Sequence, residues 1–132
     1  MTAAAPAPEP PQEPDGHGLL AGKVALVTAA AGTGIGSATA RRMLAEGATV
    51  VVSDAHERRL GEAAADLAGA TADGEPPLAI PCDVTDEDQV QALFRGAVER
   101  HGRIDVVVNN AGLGGTAELV DMTDEQWHLV VD

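Results

Sequence analysis

The sequence has 132 residues, 45% of them hydrophobic and only 2% aromatic, which suits one small domain, or part of one, with a core of Ala, Val and Leu. Eight basic residues against 21 acidic ones give a net charge of -13. That balance argues against nucleic acid as a partner, because phosphate backbones require a basic footprint. A single cysteine, Cys82, allows no internal disulfide and fits a reducing cytoplasm. No apolar run approaches the ~18 residues of a membrane span, and the N-terminus lacks the basic and apolar regions of a signal peptide.

Met1 to Gly18 carries Pro6, Pro8, Pro10, Pro11 and Pro14 among Ala and acids, a composition expected to give a disordered, extended tail. Order is expected from Leu19 and Leu20 onward, which can cover a sheet, so that residues 19–132 make part of one domain. Val24 to Thr28 reads as a strand buried on both faces. It breaks into a small-residue turn holding Gly32, Gly34 and Gly36, then into a helix over Ile35 to Glu46. Ile35, Ala38, Thr39, Met43 and Leu44 should line its inner face, with Arg41, Arg42 and Glu46 outward; Gly47 is a C-terminal stop.

Thr49 to Ser53 is a second apolar strand ending at Asp54, and His56 to Ala68 a second helix with Leu60, Ala64 and Leu67 inward and Glu57, Arg58, Arg59 and Glu62 outward. The loop Gly69 to Pro77 is a surface connection. Leu78 to Cys82 is a short strand whose Pro81 suits a sheet edge. Thr85-Asp-Glu-Asp88 resembles a capping box, opening a helix to about His101 with Val90, Leu93, Phe94 and Val98 inward. Ile104 to Asn109 is Val-rich enough for a central strand, and Thr123-Asp-Glu-Gln126 caps a last helix containing Trp127, Val130 and Val131. Strands alternating with helices predict a parallel sheet covered on both faces, the first half of a Rossmann-type doubly wound α/β fold with strand order 3-2-1-4.

In that topology the loops at the carboxyl ends of the strands form one crevice, where four segments meet. Gly32, Thr33, Gly34, Ile35 and Gly36 bring bare backbone N–H groups to a helix N-terminus, which suits an anionic phosphate; an ordinary strand-to-helix turn would look the same. Asp54, about twenty residues on, can accept hydrogen bonds from both hydroxyls of an adenosine ribose and would repel a 2′-phosphate; alternatively it is a strand-end turn residue. Asp83 could accept from an adenine amino group while Val84 packs on the base, or Asp83 simply leads a helix. Asn109, Asn110, Ala111 and Gly112 put amides beside small residues in the crevice, and could equally satisfy loop backbone. The chain offers no metal-ligand spacing around Cys82.

These residues resemble the short-chain dehydrogenase/reductase family: Lys-Val-Ala-Leu-Val-Thr28 leading to Gly34-Ile35-Gly36, then Asp54, Cys82-Asp83-Val84 and Asn109-Asn110-Ala111-Gly112 fall in family order. The run Ala29 to Arg42, with His56-Glu-Arg-Arg-Leu60 and the glycines to Gly115, looks like a bacterial branch that reduces steroid-ring remnants carried as coenzyme A thioesters. The resemblance implies an oxidoreductase interconverting a secondary alcohol and a ketone. It also implies a bound dinucleotide, NAD rather than NADP because Ala55 follows Asp54, and dimers or tetramers for intact members. Two departures stand out: Ala29 and Ala30 occupy the early glycine region, and the loop from Thr28 to Gly36 is one residue longer than the family pattern. Arg58 and Arg59 fall on an outward helical face.

The family's chemistry requires a tyrosine as proton donor, a lysine four residues on that lowers its pKa, an orienting serine and an asparagine. This chain contains no tyrosine, and its one lysine, Lys23, precedes the first strand. Ser37 and Ser53 have no base nearby in sequence, and His17, His56, His101 and His128 are expected to face solvent. No residue here is therefore assigned a catalytic role. The expectation is the N-terminal, cofactor-binding part of such an enzyme, inactive alone and either poorly stable or self-associating through an open strand edge at Val106, Val107 and Val108. The alternative is a stand-alone dinucleotide-binding or regulatory module.

Overall fold

The computed structural model describes residues 11–114 and 117–131. Four strands, β1 (Val24–Val27), β2 (Thr49–Asp54), β3 (Leu78–Pro81) and β4 (Val106–Val108), alternate with four helices, α1 (Ile35–Ala45), α2 (Glu57–Leu67), α3 (Glu87–His101) and α4 (Asp124–Val131). The sheet is parallel throughout with order β3-β2-β1-β4, so the predicted half of a Rossmann-type fold is borne out. Pro81 ends β3 at one edge, where its missing N–H removes no ladder bond. The Val-rich β4, whose composition suits a central strand, forms the other edge, as the order 3-2-1-4 and the expected open edge at Val106 to Val108 require; no later strand pairs with it among the described residues.

Strand periodicity divides the core into two layers. Ala25, Val27, Val50 and Val52 project to one face, where Ala40, Leu44, Leu60, Ala64 and Leu67 of α1 and α2 cover them. Leu26 and Val51 project to the other, against Cys82, Leu93 and Ala97. Leu60, Leu67 and Leu93 are almost wholly buried, and burying one such side chain contributes about 1.5–3 kcal/mol.

The inner face of α1 departs from the expected one. Gly36, Ala40 and Leu44 are buried, whereas Ile35 is 79% exposed and Ala38 is also exposed. The helix is rotated by one residue because Gly36, having no side chain, lies directly on the carbonyl that ends the first strand's extension: a Cβ there would stand 2.5 Å from the Ala29 oxygen. On α3, Leu93 and Ala97 are buried, but Phe94 and Val98 are exposed, since no described element packs over that side. The α3 cap is Asp86 rather than Thr85: its carboxylate accepts from the Gln89 backbone N–H at 3.2 Å and from the Gln89 side-chain amide at 2.9 Å. On α4, Thr123 and Gln126 exchange the two bonds of a capping box.

Of the expected tail, residues 1–10 lie outside the described residues. Residues 14–20 run along the end of α1. Glu46, expected outward, is buried, and its Oε2 accepts from the His17 and Leu19 backbone N–H groups at 2.8 and 3.2 Å. Arg42 donates to the Pro14 carbonyl at 2.6 Å and to the Glu46 carboxylate. Those two backbone donors, ahead of the Arg42 cation, hold the Glu46 carboxyl below its ordinary range against the opposing effect of burial. Leu20 packs on the α1/α2 side of the core, whereas Leu19 is exposed.

Candidate dinucleotide-binding crevice

The carboxyl ends of all four strands are tied together by backbone. Thr28 donates its N–H to the Val108 carbonyl, Ala30 to Ser53 and Cys82 to Asp54, at 3.2, 3.0 and 3.1 Å. Thr28, which is buried, adds a hydroxyl latch: Oγ1 donates to the Val108 carbonyl at 3.3 Å and accepts from the Asn110 and Ala111 N–H groups, each at 3.0 Å.

Beyond these ends opens a crevice of about 780 Å³ lined by Ala29, Asp54 to His56, Cys82 to Thr85, Ala111 to Leu113 and His128 to Val130. Its size lies within the range of about 300–1,000 Å³ usual for small-molecule sites. Five of the candidate residues therefore meet in one cavity: Asp54, Asp83, Val84, Ala111 and Gly112. The glycine segment Gly32 to Gly36 is not part of its lining and runs beside it from the Ala29 corner. Gly34 opens α1 with no side-chain cap and no acid in the first turn, which leaves the backbone N–H groups there open to an anion.

Asp54 stands at the end of β2 and reaches the residue that leads into the glycine segment. Its Oδ2 accepts from the Ala31 N–H at 3.1 Å and its Oδ1 from the His56 N–H at 3.0 Å. Asp83 accepts the Thr85 N–H at 3.0 Å and hydroxyl at 2.7 Å on Oδ1, backbone bond first and side-chain bond second, and these hold its carboxyl below the ordinary range. At neutral pH Asp83 is thus an anion facing the crevice. Val84 is 45% exposed, an apolar surface bordering it.

Asn110 is placed as a pin rather than as a wall of the cavity. Its side-chain amide donates to the Thr28 and Ala29 carbonyls, each at 3.1 Å, and lies 2.6 Å from where a Gly36 Cβ would stand. The amide therefore fixes the start of the glycine segment, which is the loop-satisfying role left open for it. Ala29, one of the departures from the glycine pattern, sits in the left-handed region with φ of 49°, a conformation that glycine adopts freely and alanine does not.

Four lining positions were not legible from sequence. Leu129, Val130 and His128 arrive on α4, and His56 caps α2; both histidines were expected simply to face solvent. Nothing local marks the three on α4, which lie far along the chain from the other lining residues, whereas His56 follows Asp54 closely and is placed by the end of β2. Cys82 is buried, and burial first, then the Asp83 and Asp86 charges, push its thiol up, which disfavours the reactive thiolate. His101 is half-buried rather than solvent-facing, with Nε2 lacking a partner; it lines a separate depression of about 730 Å³ at the opposite end of the sheet. Among the described residues no group of three or more His, Cys, Asp or Glu side chains could hold a metal ion, and no helix is long and apolar enough to cross a membrane.

A profile of the short chain dehydrogenases matches residues 23–132. The chain belongs to the short-chain dehydrogenase family. Members of this family are oxidoreductases that bind NAD(P). The chain is 62% identical over 122 residues to a (5R,7aS)-5-hydroxy-7a-methyl-1-oxo-2,3,5,6,7,7a-hexahydro-1H-indene-carboxyl-CoA reductase of Mycobacterium tuberculosis, covering 92% of this chain and 46% of that one. It is 40% identical over 113 residues to a 3-oxoacyl-[acyl-carrier-protein] reductase of Thermotoga maritima, covering 86% and 44%. Among solved structures, a short chain dehydrogenase from Mycobacterium smegmatis superposes with a TM-score of 0.85 at 62% identity, over 92% of this chain and 50% of that one. A 3-ketoacyl-(acyl-carrier-protein) reductase from Brucella melitensis, in complex with NADH, superposes with a TM-score of 0.74 at 33% identity, over 85% and 43%. The chain thus spans no more than about half the length of these relatives.

Proposed function

We propose that this chain is the cofactor-binding part of an NAD-dependent oxidoreductase that interconverts a secondary alcohol and a ketone, its substrate a fused-ring, steroid-derived coenzyme A thioester. The observation that carries the cofactor reading is Asp54: one carboxylate at the end of β2 both holds Ala31, directly before the glycine segment, and borders the crevice. The residues fit the group. Asp54 would take the ribose hydroxyls, Asp83 the adenine amino group and Val84 the base, while Gly32, Thr33, Gly34, Ile35 and Gly36 give the pyrophosphate a small-residue approach. Ala111 and Gly112 keep the floor low, and Asn110 holds the glycine segment in place. When bound, the dinucleotide would supply hydride transfer; this chain's residues orient it and include no tyrosine to donate a proton.

The substrate class draws support from the 62% identity to the indene-carboxyl-CoA reductase. A carboxylate at the ribose disfavours a 2′-phosphate, which is the reason for NAD over NADP. Phe94, Val98 and Val107 are exposed on α3 and the edge strand, an apolar surface that favours self-association of this chain; its mass in solution by light scattering checks this. A cytoplasmic location accords with a lone, buried Cys82.

Calorimetric titration of NAD and NADP into the wild type and Asp54→Ala tests the reading. The substitution is expected to weaken NAD by about tenfold, the value of a charged hydrogen-bond acceptor, and to narrow the gap to NADP. NAD binding that survives unchanged refutes the ribose assignment.

A further inference from the structure

Arg59 belongs to the outward side of α2, yet its guanidinium reaches the glycine segment. A Cβ built on Gly32 would stand 2.9 Å from Arg59 Nη2 and 4.0 Å from Cζ. Gly32 itself has φ of +88°, a conformation that keeps a side chain off this spot. The adjacent Arg58 is engaged with Glu62 one turn on, at 2.7 Å. Arg59 has no ion pair or hydrogen bond among the described residues. The sequence places both arginines on an outward face; the structure separates them, one paired on the surface and one laid against Gly32.

The electrostatic setting gives that difference weight. The chain carries 21 acidic residues against eight basic ones, and the crevice is bordered by the carboxyl groups of Asp54 and Asp83. A phosphorylated ligand approaching such a surface meets repulsion unless a local cation offsets it. Ala31, next to Gly32, is the residue whose N–H bonds Asp54, so Arg59 and Asp54 reach adjacent positions of one loop. A planar guanidinium presents parallel N–H donors that match two oxygens of a phosphate, which a carboxylate or an amide on this loop cannot do.

We propose that Arg59 is a phosphate-binding residue, gripping a phosphate group of the adenine dinucleotide from the α2 side of Gly32. The proposal rests on the dinucleotide reading above. The phosphate is either part of the pyrophosphate, common to NAD and NADP, or the 2′-phosphate of NADP; the chemistry is the same and the probes separate the two.

The test is calorimetric titration of adenosine, ADP and 2′,5′-ADP into the full chain and its Arg59→Ala, Arg59→Lys and Arg58→Ala variants, with circular dichroism to compare their folds. Arg59→Ala is expected to weaken ADP by about tenfold, one charge-assisted bond's worth, with adenosine unchanged, partial recovery in Arg59→Lys and no effect in Arg58→Ala. A loss confined to 2′,5′-ADP also supports the proposal and assigns the 2′-phosphate. Wild-type affinity for both phosphorylated probes in Arg59→Ala overturns it, as does an equal loss of adenosine, which would mark a structural role. If the wild type binds none of the three, the dinucleotide reading itself fails, an outcome distinct from an Arg59 variant that matches a binding wild type. Should Arg59→Ala lose its helical signal, Arg59→Lys in the same titration decides.

Discussion

Replacing Gly36 by alanine should destabilise the fold, although the same change in a helix interior ordinarily stabilises by about 0.5–1 kcal/mol. The reason is spatial. A Cβ at Gly36 would lie 2.5 Å from the Ala29 oxygen and 2.6 Å from Asn110 Nδ2. The first is backbone, and the second is tethered to two carbonyls, so neither can step aside cheaply. Overpacking of this kind costs roughly 1–3 kcal/mol, and displacing the Asn110 amide from one carbonyl adds about 1 kcal/mol. With the helix gain subtracted, the net loss is about 2 kcal/mol. Gly61, mid-way along α2 with nothing within 4 Å of its would-be Cβ, provides the control and should gain the usual ~0.5–1 kcal/mol as alanine. At about 4 °C per kcal/mol for a domain of this size, the two variants should melt on opposite sides of the wild type, separated by roughly 10 °C. Thermal and urea unfolding followed by circular dichroism measures this. A Gly36→Ala protein at least as stable as the wild type would refute the packing argument.

Other substitutions probe the same end of the sheet. Ala29→Gly relieves a left-handed alanine and should stabilise by about 0.5–1 kcal/mol once the added freedom of the unfolded chain is counted; a lower urea midpoint contradicts it. Asn110→Ala leaves the Thr28 and Ala29 carbonyls without their donor and should cost about 2–3 kcal/mol, whereas a loss under about 0.5 kcal/mol would show that the amide pins nothing. At the far end of α1, the Glu46 carboxyl is held below its ordinary value of 4.5, chiefly by the His17 and Leu19 N–H groups. Its contribution is therefore fully present above that value and is lost as pH falls through the lower folded value. Melting of the wild type should approach that of Glu46→Gln on acidification from pH 6, and a gap independent of pH would contradict the assignment.

The fold was legible because its signals are local. Valine runs bounded by Gly47, Asp54 and Gly102 mark strands and helix ends, the Thr123/Gln126 pair marks the start of α4, and the Thr85/Asp88 signal falls one residue from the true cap of α3. The phase of α1 was not, because hydrophobic periodicity counts Ile35 as inward and cannot register Gly36, whose contribution is the side chain it lacks. Phe94 and Val98 mislead for a related reason: periodicity assumes that each apolar stripe has a partner. In the crevice, Asp54, Asp83, Val84, Ala111 and Gly112 were foreseeable since each follows a strand at its carboxyl end. His128, Leu129 and Val130 were not, because long-range chain path brings α4 there. Glu46 reads as an ordinary helix-end acid because the backbone of residues 17–19, which folds onto it, carries no sequence mark of doing so.

The dinucleotide reading requires that this chain alone hold a nicotinamide dinucleotide without turning it over. Fluorescence titration of NADH into the purified chain, followed by ADP competition and an assay for alcohol or ketone turnover, measures both parts. Saturable binding that ADP displaces, with no turnover, is the expected result. Either an absence of NADH binding by the folded chain or measurable turnover by it would contradict the account.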